Sequence, residues 1–277
     1  MLDDRLATLD ALLGRLPGVL VAFSGGVDSG TLLAAAVRAL GPGRVVAATA
    51  VSPSLPAAER AAAADFAASL GVRHELPRTD ELSRPGYVAN AGDRCAFCKT
   101  ELVDVLVPLG RRLGIADVVT GTNADDLRAG FRPGIRAAAE RGAWAPLARA
   151  GMTKDDVRAA ARRWELPLAD KPAAACLASR IAYGVPVSAE RLARVEAAEA
   201  ALRAAMAAAG VAVRDLRVRD MGDDVARIEV DAAVVPALAA RPDLLGAVPG
   251  FDRVEVDPRG FRSGSMNELL PDPVRYR

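Results

Sequence analysis

Apolar residues fall in short blocks separated by stretches of helix length. Residues 18–23 (GVLVAF) follow a Pro-Gly break and predict a buried strand. SGGVDSG comes next, then TLLAAAVRAL, a helix closed by Gly41. Residues 44–50 (RVVAATA) predict a second strand. SPSLPAAERAAAADFAASLG predicts a helix that Gly71 stops. VRHELP is a third, short strand. Residues 79–98 are polar, contain Gly and Pro, and predict a loop. A helix over 100–113 leads to a fourth strand at 116–121 (ADVVTG). Residues 122–151 read as irregular, broken by Gly130, Pro133, Gly134 and Pro146. TKDDVRAAARRWE predicts a helix with Thr153 as N-cap and Asp156 at the capping-box position.

This alternation over about 165 residues predicts an α/β fold with a mainly parallel, doubly wound sheet. Such sheets bind ligands at the carboxyl ends of their strands. Residues 168–188 are loop-like and rich in small side chains, and an Ala-rich helix spans 189–209. LRVRDM and VARIEVD predict two strands joined by a turn at Gly222-Asp223-Asp224. AAVVPALAARPDLLGAV is helical in part, and DRVEVDP is a last strand. The change of rhythm predicts two domains: 1–180, and a smaller α+β domain over 188–277.

Composition adds limits. The chain has 277 residues, 51% hydrophobic and 26% charged, enough for a sizeable core. Aromatics are 4%, so Ala, Val and Leu must fill that core. Lys+Arg 36 against Asp+Glu 35 leaves a net charge of +1, which argues against a long nucleic-acid track. The first residues predict an amphipathic helix rather than a signal peptide. No run reaches the roughly 18 apolar residues of a membrane span. The expectation is a cytoplasmic protein without a membrane partner.

The loop Ser24-Gly25-Gly26-Val27-Asp28-Ser29 sits between a strand and a helix. Its glycines let backbone approach phosphate, and the N–H groups of the helix start point at an anion. Ser24 and Ser29 can donate hydroxyls, and Asp28 can hold Mg²⁺. Neither a Walker A loop nor GxGxxG is present here. Gly121, Asn123 and Asp125 end the fourth strand, where the segment can bind Mg²⁺ or nucleotide, or cap a helix at Asn123.

The three cysteines are Cys95, Cys98 and Cys176. An odd count in such a chain speaks for metal or sulfur chemistry rather than disulfides. Zinc held with His74, a redox pair, a 4Fe-4S cluster with one open iron, and three unrelated thiols all remain open.

SGGVDS resembles the PP-loop of ATP pyrophosphatases, which cut ATP between the α and β phosphates. CAFCK, KPAAACLASRIAYG, LRVRDMGDDVARIEV and GFRSGSMNE together resemble the LarE family. The resemblance runs from about Ser24 to Glu268, and CLASR-I-x-YG and RSGSMNE are its most specific strings. It implies the adenine nucleotide alpha hydrolase-like PP-loop fold. It implies sulfur insertion into pyridinium-3,5-biscarboxylic acid mononucleotide, with ATP and Mg²⁺, in the maturation of the nickel-pincer cofactor of lactate racemase. A carboxylate is adenylated, pyrophosphate leaves, and sulfur then displaces AMP. Some members sacrifice the sulfur of the CLASR cysteine and keep dehydroalanine. Others add a CxxC and resemble cluster-dependent thiolases. With Cys95 and Cys98 beside Cys176, this sequence resembles the second kind, whose cofactors would be ATP, Mg²⁺ and a 4Fe-4S cluster. The resemblance also implies a homo-oligomer.

A phosphate-bearing, dianionic substrate needs cations. Arg180 lies near Cys176, and Arg217 and Arg219 are two apart on a strand, so both face one side of the sheet. Glu190 and Glu229 are candidates to orient them or to act as a base. Ser263, Ser265 and Asn267 belong to the tail without an assigned role. His74 reads as a strand-end residue rather than a ligand. Two other PP-loop chemistries compete: a tRNA thiolase, which needs a basic surface, and an amidating synthetase, which leaves the cysteines without a task.

Overall fold

The computed structural model describes residues 1–128, 133–172, 175–270 and 272. Gly130, read above as a break, and Ala173 and Ala174 of the KPAAAC string lie outside them. In chain order the elements are α1 (Leu2–Gly14), β1 (Val19–Ala22), α2 (Val27–Leu40), β2 (Val45–Ala48), α3 (Ala57–Ser69), β3 (Arg73–Glu75), α4 (Pro85–Val88), α5 (Arg94–Arg112), β4 (Asp117–Thr120), α6 (Ala124–Arg128), α7 (Pro133–Glu140), β5 (Ala143–Trp144), α8 (Pro146–Arg149), α9 (Lys154–Arg163), α10 (Ala189–Ala208), β6 (Leu216–Asp220), β7 (Val225–Val230), α11 (Val235–Ala239), α12 (Pro242–Leu245) and β8 (Arg253–Val256). Short 3-10 turns cover Leu177–Arg180 and Ser265–Leu269.

The chain divides into two units. One comprises Met1–Glu81 and Cys95–Ala174, the other Leu82–Arg94 and Ala175–Tyr276. The sequence expectation drew the line between 180 and 188. The structure places the Cys176 turn, and Leu82–Arg94 from the middle of the chain, with the C-terminal unit.

The first unit is built on a five-stranded sheet of order β3-β2-β1-β4-β5, with every pairing parallel. Side chains alternate between its faces, as strand geometry requires. Val19, Val21, Val45, Ala47 and Val119 pack with α1, α2, α3 and α9. Leu20, Ala48 and Val118 point the other way and pack with Val103, Leu106 and Leu109 of α5. Both faces are therefore covered by helices, which is why the strands are apolar throughout. Each such buried Leu or Val contributes about 1.5–3 kcal/mol.

α9 begins with the capping box read from the sequence. Thr153 Oγ1 accepts from the Asp156 N–H at 3.2 Å, and Asp156 accepts from the Thr153 N–H at 2.8 Å. Arg5 of α1 adds an ion pair to the same carboxylate. Burial pushes the Asp156 carboxyl up, but its bonds with Thr153 and Arg5 hold it below its ordinary value.

Two expectations of irregular chain need correction. Residues 122–151 contain α6, α7, β5 and α8, elements too short to leave a periodic pattern. Residues 79–98 do not form one loop: α4 lies within them, and α5 starts at Arg94, so Cys95 and Cys98 stand on its first turns.

The second unit carries a three-stranded sheet of order β6-β7-β8. β6 and β7 are an antiparallel pair across the expected turn, where Gly222, Asp223 and Asp224 all take positive φ. β8 runs parallel to β7. Leu202 and Met206 of α10 pack on Leu216, Val218, Ile228 and Val230. Among the described residues no helix is long and apolar enough to cross a membrane.

Candidate active site

In the first unit the strand order reverses between β1 and β4, the position where an open parallel sheet forms its ligand crevice. The SGGVDS loop leaves β1, and Gly121–Asn123 leaves β4, at neighbouring carboxyl ends. Gly25 has φ +74°, a conformation that a Cβ disfavours. Gly26 caps α2, so the first free N–H groups of that helix face the loop. Ser29 is buried and ties the loop together. Its Oγ accepts from the Ser24 N–H at 3.2 Å, lies 3.0 Å from Ser24 Oγ, and donates to the Gly26 carbonyl at 3.2 Å.

Gly121 belongs to this packing. A Cβ there would stand 2.7 Å from Ser29 N and 2.8 Å from Ser29 Cα, so only glycine lets β4 end against the start of α2. Asn123 does two jobs. Its Oδ1 accepts from the N–H groups of Asp125 at 3.0 Å and Asp126 at 3.1 Å, as a helix cap does. Its Nδ2 donates to Asp28 Oδ1 at 3.1 Å. Asp125 instead accepts from the backbone N–H of Lys154 at 2.8 Å.

Two lysines that the sequence did not single out complete this site. Lys154 Nζ forms an ion pair with Asp28. Lys171 Nζ donates to the Gly25 carbonyl at 3.0 Å and to Glu59 at 2.7 Å. A sequence signal existed for the first. Lys154 opens α9, where the helix dipole disfavours a cation unless acids lie opposite. The site thus offers helix-start N–H groups, two hydroxyls and two ammonium groups, Lys154 on Asp28 and Lys171 on Glu59, a set suited to a triphosphate with a hard cation. Asp28 is the carboxylate that would hold Mg²⁺.

The second unit brings Cys176, Arg180, Arg219 and Glu229 together. Cys176 caps the Leu177–Arg180 turn. Arg180 is buried and forks onto Glu199, at 2.9 Å from Nε and 3.3 Å from Nη2. Its Nη1 donates to the carbonyls of Ala175 at 2.6 Å and Cys176 at 3.2 Å. Arg219 forks onto Glu229 Oε2 at 2.6 Å and 3.1 Å, and reaches the Ser179 carbonyl at 3.1 Å. Arg217 is buried too, with its guanidinium 5.1 Å from the Phe261 ring centre. Burial, reinforced by the nearby charges of Arg180 and Arg219, pushes the Arg217 pKa down.

Other residues fall elsewhere. Glu229 holds Arg219, whereas Glu190 is exposed in the first turn of α10. Ser265 Oγ donates to Glu229 Oε1 at 2.8 Å, Asn267 Oδ1 accepts from Tyr183 Oη at 3.4 Å, and Ser263 is exposed. His74 sits in β3, 2.9 Å from Thr49 Oγ1, and burial lowers its pKa despite Glu75. Cys95 and Cys98 belong to the first unit and Cys176 to the second. Cys95 is exposed, and Cys98 and Cys176 are half-buried. Among the described residues no three His, Cys, Asp or Glu side chains gather as a metal site.

No protein-family model matches the chain. An uncharacterized protein of Synechocystis sp. is 41% identical over 275 residues, 98% of this chain and 99% of the relative. The pyridinium-3,5-bisthiocarboxylic acid mononucleotide synthase of Lactiplantibacillus plantarum is 34% identical over 272 residues, 97% of this chain and 96% of the synthase. An uncharacterized protein of Methanocaldococcus jannaschii matches at 33% over 144 residues, 51% of this chain and 56% of its own. With identity sustained over both units, from the SGGVDS loop to the C-terminal tail, the chain belongs to the LarE family, that of the pyridinium-3,5-bisthiocarboxylic acid mononucleotide synthases.

Proposed function

We propose that this protein inserts sulfur into the precursor of the nickel-pincer cofactor, turning a carboxylate of pyridinium-3,5-biscarboxylic acid mononucleotide into a thiocarboxylate with ATP. The observation that carries this is the similarity to the synthase over 97% of the chain. The SGGVDS loop and the Cys176 turn supply chemistry that fits it.

The first step is adenylation. A substrate carboxylate oxygen attacks the α-phosphorus, and the bond to the bridging oxygen breaks. Pyrophosphate leaves with that electron pair. The α2 N–H groups, Ser24, Lys154 and Lys171 hold the phosphates and stabilise the charge that develops on the leaving group. Mg²⁺, held by Asp28, would neutralise phosphate charge when bound.

The second step is sulfur transfer. The Cys176 thiolate attacks the acyl carbon, and AMP leaves as the acyl–oxygen bond breaks. Loss of the Cys176 Cα proton then breaks the Cβ–Sγ bond. Sulfur keeps that electron pair, the thiocarboxylate is freed, and residue 176 becomes dehydroalanine. Arg217 serves the anionic groups of the substrate.

A second reading is favoured by Cys95 and Cys98, which stand three apart on α5. Held with Cys176, a 4Fe-4S cluster would carry a replaceable sulfide and spare the cysteine.

The test incubates the protein with ATP, Mg²⁺ and the biscarboxylic mononucleotide. Pyrophosphate, AMP and thiocarboxylate should form together, and the chain should lose the mass of hydrogen sulfide at Cys176. Pyrophosphate release without sulfur in the product would overturn sulfur insertion. Thiocarboxylate with an intact Cys176 would favour the cluster.

A further inference from the structure

The turn that carries Cys176 is held by its own Ser179 and Arg180 and by two arginines from distant parts of the second unit. Ala175 and Cys176 give their carbonyls to Arg180 Nη1. The Cys176 carbonyl also accepts from Ser179 Oγ at 2.7 Å. Arg94 Nη1 donates to the Ala178 carbonyl at 2.9 Å, and Arg219 Nη1 to the Ser179 carbonyl. Three arginines therefore grip one short turn, and all three are buried.

Each arginine is itself oriented by a buried or half-buried acceptor. Glu199 takes two edges of Arg180 and also accepts from the Val218 N–H of β6 at 3.1 Å. Asn90 Oδ1 accepts from Arg94 Nη1 at 2.5 Å, while Asn90 Nδ2 donates to the carbonyls of Ala182 at 2.8 Å and Val185 at 2.7 Å. Glu229 takes the fork of Arg219, and the tail hydroxyl of Ser265 fixes the other Glu229 oxygen. A guanidinium bound on two edges keeps its remaining N–H directions fixed.

We propose that Glu199, Asn90, Glu229 and Ser265 are positioning residues that act through Arg180, Arg94 and Arg219 to hold Cys176 in its sulfur-delivering conformation, and that the tail turn Ser265–Leu269 completes this brace. The proposal rests on the function put forward above. Attack on an acyl carbon needs the sulfur at near-attack distance and angle, and a misplacement of about 1 Å costs on the order of a hundredfold in rate. Adenylation uses the SGGVDS loop of the other unit and does not need the Cys176 sulfur held in place. Loosening the brace should therefore uncouple the two steps.

The experiment compares Ser265→Ala, Ser265→Thr and Glu199→Gln with the unaltered chain. It reads pyrophosphate released, thiocarboxylate formed, the rate of Cys176 alkylation by iodoacetamide, and thermal stability. In Ser265→Ala and Glu199→Gln the ratio of thiocarboxylate to pyrophosphate should fall about tenfold or more, with kcat for pyrophosphate release nearly unchanged. The alkylation rate should change in the same two variants. Ser265→Thr keeps the hydroxyl and should restore the ratio. If Ser265→Ala fails to fold, Glu199→Gln carries the test alone. An unchanged ratio in the variants overturns the proposal. So does a loss of both steps in proportion to stability, which would make these residues general supports of the fold. If the unaltered protein releases no pyrophosphate, the function itself fails, and the alkylation rates alone decide the brace.

Discussion

Lys154 pairs with Asp28 across 126 residues of sequence, so the SGGVDS loop and the start of α9 form one charged site. A cation at the first position of a helix is unfavourable on its own. It is stabilised here by the Asp28 side chain, while its backbone N–H is taken by Asp125. Charge-assisted bonds of this kind contribute about 1.5–3 kcal/mol, roughly ten- to hundredfold in an equilibrium or rate. Lys154→Ala should lower pyrophosphate formation by about that factor and raise the KM for ATP, with Lys154→Arg recovering part of the loss. Titration with ATP while following pyrophosphate checks this, and unaltered ATP dependence would remove Lys154 from the nucleotide site.

The strands, the closing glycines and the Thr153–Asp156 box were legible because each depends on neighbours in sequence. SGGVDS was legible for the same reason: its strand–loop–helix context is local. Lys154, Lys171 and Glu199 were not, since their partners lie 126, 146 and 19 residues away and no periodicity marks a polar contact made by folding. β5 has two residues, too few to alternate. The cysteine pair was read as loop because Gly92 and the polar residues before it hide the start of α5 at Arg94. Arg217 and Arg219 were read as a matched pair on one face of β6. The fold separates them by partner: Arg219 lies on Glu229, and Arg217 lies over Phe261.

Gly26 and Gly121 should respond differently to alanine. A Cβ on Gly26 would be 3.5 Å from Ser24 Oγ, an ordinary contact, so Gly26→Ala should fold normally. It would still put a methyl group where phosphate must approach the helix start, and ATP binding should fall. A Cβ on Gly121 would press on the Ser29 backbone at 2.7 Å. Overpacking of this kind costs about 1–3 kcal/mol. Gly121→Ala should therefore lower Tm and weaken ATP together. Melting curves with and without ATP separate the two cases.

Asp220 sets an acid limit on the second unit. It is fully buried and accepts from Arg191 Nη1 at 2.8 Å and Arg194 Nη2 at 2.6 Å. Burial raises its pKa, but the bonds from Arg194, the Gly222 N–H and Arg191 outweigh this and hold it below the usual carboxylate range. A depressed folded pKa means that the unfolded chain binds the proton first. The stabilisation is thus complete above the unfolded value of about 3.9 and is lost as pH falls through the folded one. Asp220→Asn should cost about 3 kcal/mol at neutral pH, the low end for breaking a buried pair because both guanidiniums keep some access to water. It should also flatten the acid limb of the stability curve. Equal pH dependence in the two proteins would show that other carboxylates set that limb.

The thiols decide how many times one chain can act. If Cys176 gives up its own sulfur, each chain makes one thiocarboxylate per cysteine and stops, because dehydroalanine holds no sulfur to give again. The protein prepared without oxygen should then hold little iron, and Cys95→Ala should leave the single-turnover yield intact. A three-thiolate cluster demands the reverse: about four iron and four sulfide per chain, repeated turnover when sulfide is supplied, and loss of both in Cys95→Ala. Cys176→Ala separates the chemistry from the nucleotide step in either case. It should still release pyrophosphate, since the loop at Ser24–Ser29 is untouched, but it should form no thiocarboxylate. Iron and sulfide content, read beside product per chain in these two variants, therefore fixes whether the sulfur is consumed with the protein or carried by it.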